Sequence, residues 1–188
     1  MKFKFIAVLF ALLITFSLSA QAAPYEILKD ESSISFHGEH AGQEFQGRFN
    51  NYTSEIDFDF MDLNNSYANV TFNLQYIEMN KETYEGTLPN KDWFHIAEYP
   101  VATFKSKSFS LNDQNGLFDV VGDLTIRDVT KEIAFSAKIV ERRDGVTTVD
   151  AVFPINRLDY NLGQKSDPTA DWVSEEIKIK LDLIARKQ

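Results

Sequence analysis

Ile177-Lys178-Ile179-Lys180-Leu181-Asp182-Leu183 alternates apolar and charged residues without a break. Successive side chains of an extended strand point to opposite faces, so this stretch reads as a strand with one buried and one wet face. The same period of two runs back along the chain. Val149, Ala151, Phe153 and Ile155 form one stripe, Ile133, Phe135, Ala137 and Ile139 another, and Phe118, Val120, Gly122, Leu124 and Ile126 a third. Further upstream, Ala68, Val70, Phe72 and Leu74 alternate with Asn69, Thr71 and Asn73, and Ile56, Phe58 and Phe60 with Asp57 and Asp59. Phe45, Gly47 and Phe49 share a face, as do Ile34 and Phe36. Turn-forming residues separate the stripes at Asn50-Asn51, Asn64-Asn65, Asn112 to Gly116 and Asp144-Gly145. Eight or more antiparallel strands joined by short turns must hide their edges, which a closed barrel does and a sandwich does less completely. The pattern predicts an all-β fold of eight or more antiparallel strands, closed as a barrel or folded as a sandwich.

One stretch breaks the alternation. Asn80 to Glu85 can start on an Asn cap and stop at Gly86, and Asn90 precedes Lys91 to His95, so one or two short helices are expected between strands. The polar segment from Arg157 to Trp172, with Gly163 and Pro168, reads as a long loop. No repeat or linker divides the chain. Around Ser106 to Phe109 a bulge is expected, which would exchange inner and outer faces.

The composition agrees with one globular domain: 188 residues, 44% hydrophobic, 25% charged and no cysteine. A net charge of -9 argues against nucleic acid or anionic headgroups as the main partner, since both favour clustered Lys and Arg. Lys2 and Lys4, the apolar run Phe5 to Leu18 and the small residues of Ala20-Gln21-Ala22 form a secretory signal, expected to be cut after Ala22. Residues 1–22 are then the leader and 23–188 the domain. Without Lys2 and Lys4, 17 basic face 28 acidic residues, a net charge of -11. No later apolar run approaches bilayer length, so the exported chain is not expected to be an integral membrane protein.

The inward stripes have two readings. Their phenylalanines can fill a solid core, which is the usual fate of apolar stripes. They can also line a lumen for an apolar ligand, with Gly47 and Gly122 leaving room; each buried CH₂ of such a ligand gains about 0.8 kcal/mol. Periodicity alone leaves both open.

Lys91-Asp92-Trp93-Phe94-His95 with Tyr99-Pro100-Val101-Ala102-Thr103-Phe104-Lys105-Ser106 resembles the "dFF…yP.atF.S" segment of the YceI-like family. Gly122 to Lys131 is similar to that family's "G.LTi.GvTk" element, Ser33-Ile34-Ser35-Phe36 with His40 and Gly47-Arg48-Phe49 to its opening, and Ile155 to Tyr160 to its "inR.dfG". The order and spacing match over essentially the whole domain. The resemblance implies an all-β, elongated eight-stranded antiparallel lipocalin-like barrel with a short helical insertion, located in the periplasm and holding a polyisoprenoid or another long amphiphile. Asp128 and Asn161 stand where the family usually has Gly; both tolerate left-handed backbone, so the turns are expected to survive.

For such a carrier the aligned stripes nominate Phe36, Phe45, Phe58, Phe72, Phe104, Phe118, Val120, Leu124 and Phe135 as lumen residues, with His40 or Arg157 as a contact for a polar head. Arg157 and Asp159 point to one side of an extended chain and can instead pair to fix the long loop. His37 and His40, three apart, would face opposite sides, and His95 stands alone, so no metal site is expected. Asp57, Asp59 and Asp62 lack the Gly and terminal Glu of a helical calcium loop. There is no Gly-x-Ser-x-Gly elbow, no cysteine nucleophile and no phosphate-cradling glycine loop. The reading is a non-enzymatic lipid-binding protein without a cofactor. The alternatives are a solid-core protein acting through surface contacts, and an enzyme using His40 or His95 on a lipid.

Overall fold

The structure, a computed structural model, describes residues 24–142 and 144–188; the leader read in residues 1–22 lies outside the described residues. Eleven strand segments follow one another: β1 (Tyr25–Ile27), β2 (Ser33–His40), β3 (Gln43–Phe49), β4 (Tyr52–Asp57), β5 (Tyr67–Asn73), β6 (Ile77–Met79), β7 (Val101–Asn112), β8 (Leu117–Ile126), β9 (Val129–Glu141), β10 (Val146–Asn156) and β11 (Glu176–Lys187). All pair antiparallel. β2 and β1 lie end to end along β11, β3 and β4 lie along them, and β6 and β5 follow on the next edge. Each of these three pairs is one interrupted strand, broken by the 3₁₀ turn Lys29–Glu31, by Asn50-Asn51 and by the 3₁₀ turn Leu74–Tyr76. Eight strands therefore run up and down in chain order, and β1 closes the circle between β11 and β4. The closed eight-stranded antiparallel barrel is the fold the family resemblance implies, and it decides between the barrel and the sandwich that the alternation left open.

The expected bulge lies in β7, where the register against β8 shifts between Ser106 and Ser108. It lets Phe104 and Phe109, an odd number of residues apart, both face inward.

The insertion holds one short helix, within expectation, but not on the expected Asn cap. Its helix is one turn, Glu82–Glu85, preceded by Lys81 with no side-chain cap. Asn80 is occupied elsewhere: its Oδ1 accepts from Gln46 N at 3.0 Å and extends the pairing of β3 with β6. Residues 91–95 form turns instead of a second helix. Trp93 N and His95 N both donate to Asn90 O, and His95 takes φ 51, folding the chain back so that Phe94 is buried. Tertiary burial has overridden a weak local preference.

The two departures from family glycines also resolve differently. Asn161 is left-handed at φ 58, capping the 3₁₀ turn Arg157–Tyr160. In the β8–β9 turn the positive φ falls on Arg127, at 57°, and not on Asp128.

Candidate functional site

Inside the barrel lies a cavity of about 240 Å³ whose exposed wall is entirely apolar. Five alternate residues of β11, from Ile177 to Ala185, border it, so at about 3.3 Å per residue it follows that strand for roughly 26 Å. It is a thin tube. Inward side chains such as Phe104, Leu124, Ile133, Phe135 and Leu181 pack on the core with one side and face this space with another, so they are only half-buried. Phe135 and Phe153 stack at 4.1 Å and 11° along one wall, and Phe104 meets Phe135 at 6.0 Å.

One end is plugged by aromatic rings. Phe58 packs edge-on against Phe60, Phe109 and Phe118, with centroids 5.0, 5.2 and 5.6 Å away. The other end is roofed by Leu88, Trp93 and Phe94 of the insertion and by Leu162 and Val173 of the long loop. The two roof pieces are tied together at Asp92. Its carboxylate accepts from Lys165 N at 2.9 Å, Ser166 N at 2.8 Å and Ser166 Oγ at 2.5 Å, and its carbonyl from Gly163 N at 2.6 Å. Partial burial would raise the Asp92 carboxyl; these hydrogen bonds, with Lys165 nearby, outweigh it and hold the group below its ordinary range.

Arg157 organises the long loop from beneath. It is 1% exposed, and its Nη2 donates to Asp167 Oδ2 at 2.7 Å, closing a buried ion pair. Nε and the two Nη groups also donate to the carbonyls of Ser174, Leu162, Asp167 and Val173. Asp167 in turn accepts from the backbone N–H groups of Asp171, Trp172 and Val173. Burial opposes its charge, but those donors and the guanidinium prevail and the carboxyl lies below its usual value. The partner of Arg157 is thus Asp167 and not Asp159, which is exposed. Arg157 borders the cavity at the roof, but its polar atoms are turned to these carbonyls. Tyr160 is fully buried beside it, with no hydrogen-bond partner for its hydroxyl among the described residues; burial, with Asp159 adding to it, pushes the phenol up to about 12.

The sequence-nominated residues fall as follows. Phe36, Phe45, Phe58, Phe72, Phe104, Val120, Leu124 and Phe135 border the cavity. Phe118 does not; it backs Phe58 in the plug. His40 stands off the cavity, its Nδ1 3.0 Å from Tyr84 Oη. His37 lies 3.0 Å from Ser35 Oγ, and His95 3.4 Å from Glu98. Sequence reasoning missed the roof residues Leu88, Trp93 and Phe94, whose segment carries no strand periodicity, and Phe109, hidden by the bulge.

Gly47 and Gly122 act differently from the expectation of leaving room for ligand. Phe36 lies across Gly47, its cross-strand neighbour, and Phe104 across Gly122, where a Cβ would come within 2.5 Å of the ring. The glycines let rings lie flat on the wall, and this flattening keeps the lumen open.

The YceI-like domain profile matches residues 25–185, nearly the whole described barrel. The chain belongs to the YceI-like family. Protein YceI of Escherichia coli is 31% identical over 188 residues, covering 96% of this chain and 97% of its own. The crystal structure of Burkholderia cenocepacia BcnA superposes with a TM-score of 0.78 at 23% identity, over 85% of this chain and 99% of that one. A polyisoprenoid binding domain from Saccharophagus degradans, implicated in plant cell wall breakdown, superposes with a TM-score of 0.69 at 16% identity, over 88% and 99%. These two likenesses show that this YceI-like chain shares the fold.

Proposed function

We propose that this YceI-like protein holds one long apolar chain in its lumen, as a carrier or store in the periplasm, without catalysing a reaction. The ligand is a polyisoprenoid, an isoprenoid quinone or a fatty acid or amide. The observation that carries this reading is the apolar void itself. Leaving about 240 Å³ empty forgoes roughly 6 kcal/mol at about 24 cal/mol per Å³ of cavity. That is comparable to the whole net stability of a typical domain, about 5–15 kcal/mol. A hydrocarbon recovers it, at about 0.8 kcal/mol per CH₂ withdrawn from water. The tube is long and thin, which suits a single extended chain better than a compact ring system. The polyisoprenoid binding of the Saccharophagus domain points to the same ligand class.

The test is solvent extraction of the protein purified from the periplasm, followed by mass spectrometry. One chain lipid per barrel is expected. Leu124→Arg, which places a charge on the cavity wall, should lose it, while the outward neighbour Val121→Arg should keep it. Native protein that yields no lipid and takes up none when offered would overturn the proposal.

A further inference from the structure

We infer that the chain enters and leaves sideways, through the seam between β1 and β4, and not through the roofed end; this rests on the lumen reading above. The barrel wall is not uniformly zipped. β2 and β3 share six registered pairs, and so do β4 and β5, whereas β1 and β4 share one, Tyr25 with Ile56. Continuing that register by one residue would bring Glu26 opposite Glu55, both exposed, where the ladder has already stopped; like charges placed opposite each other disfavour pairing. Between this single rung and Ser35–Arg48, the lowest pair of β2 with β3, no backbone ladder joins the two strands.

Side chains alone span the gap. Lys29 Nζ reaches from the 3₁₀ turn to Tyr52 O at 2.6 Å and lies 5.1 Å from the Tyr52 ring. From inside, Ile27, Ile34 and Tyr52 form a small apolar cluster separate from the main core. The Tyr52 hydroxyl is buried there without a partner among the described residues, a group that loses nothing if the seam parts. Outside lies a groove lined by Glu26, Lys29, Thr53 and Glu55 among others. It shares Tyr25, Ile27 and Ile56 with the lumen, so at the seam the wall is one side chain thick.

The two banks are anchored in opposite directions. β1 keeps three pairs with β11, Leu28 N donates to Ile184 O, and Ser32 Oγ accepts from Ile184 N. β4 is held by β5. The banks can separate by giving up one rung, one lysine strap and the small Ile27–Ile34–Tyr52 cluster, whereas opening the roof breaks the buried Asp92 and Arg157 networks. Segments with the fewest ladder bonds open first.

The chain has no cysteine, so Glu26→Cys with Glu55→Cys makes a staple that can form only at the seam. Both positions adjoin the Tyr25–Ile56 rung, and opposed residues of adjacent antiparallel strands lie within disulfide reach. Uptake of the fluorescent polyene parinaric acid by lipid-stripped protein is followed by stopped flow. The oxidised staple should slow uptake and release about ten-fold or more, and reduction should restore both. Lys29→Met, which cuts the strap and keeps the rung, should speed release by roughly 2- to 10-fold, the rate equivalent of one net hydrogen bond. Native rates in the oxidised staple and in Lys29→Met would refute lateral entry. Native protein that yields no lipid on extraction and takes up no parinaric acid would remove the lumen reading, and this inference with it.

Discussion

Arg157 is the residue on which the roof depends. A guanidinium that is 1% exposed is tolerable only because carbonyls and the Asp167 carboxylate surround it. Arg157→Met should therefore cost about 3–5 kcal/mol in chemical unfolding, since it strands the buried Asp167 charge. Arg157→Lys should recover little, because a point-like ammonium cannot serve acceptors spread around a planar fork. Acid acts on the same pair. Asp167 is held below its ordinary value in the fold, so its contribution is fully present above the unfolded carboxyl pKa, about 3.9, and is lost as pH falls through the lower folded value. Stability should be flat from neutrality to about pH 5 and then drop, and Asp167→Asn should flatten that acid limb while lowering the plateau. Gly47 is a second critical residue, for steric reasons. A methyl there would press into the Phe36 ring and the Met79 sulfur, so Gly47→Ala should destabilise by about 1–3 kcal/mol and push Phe36 into the lumen.

Among the elements, the strands and the roof differ in how they are encoded. β8, β9, β10 and β11 are legible because each carries an uninterrupted period-two stripe whose buried face is fixed by hydrophobicity alone. The bulge in β7 is legible only as an irregularity around Ser106 to Phe109; nothing local shows that it brings Phe109 to the lumen alongside Phe104. The broken strands were half legible: Asn50-Asn51 signals a turn, but the strand continues beyond it, since a break held by neighbouring ladders leaves no pattern of its own. The roof was illegible because its bonds are non-local. Asp92 meets Lys165 and Ser166 across more than seventy residues, and Arg157 chooses Asp167 over the nearer Asp159 for the geometry of the folded loop. That division has an observable consequence. Asp92→Ala should speed hydrogen exchange at the Lys165 and Ser166 amides, which lose their acceptor, while the amides of β8 to β11 keep native protection.

At the scale of the whole molecule the question is whether the barrel is a solid core or a vessel, and the two respond oppositely to added volume. Ala68 faces the lumen from β5, half-buried, with its methyl on the cavity wall. In a filled core Ala68→Leu would overpack and cost about 1–3 kcal/mol. In a vessel the larger side chain occupies space that was empty and withdraws apolar surface from water, a cavity-filling change worth about 0.5–2 kcal/mol in favour of the fold. The vessel reading therefore expects lipid-free Ala68→Leu to unfold at a higher denaturant concentration than lipid-free native protein. It also expects a smaller gain on adding lipid, because the occupant and the new side chain compete for one volume. Guanidinium titrations of both proteins, each with and without ligand, read the two effects separately. A destabilised lipid-free variant would mean that the space beside Ala68 is already taken, and that the inward phenylalanines hold one another in place with no room for a guest.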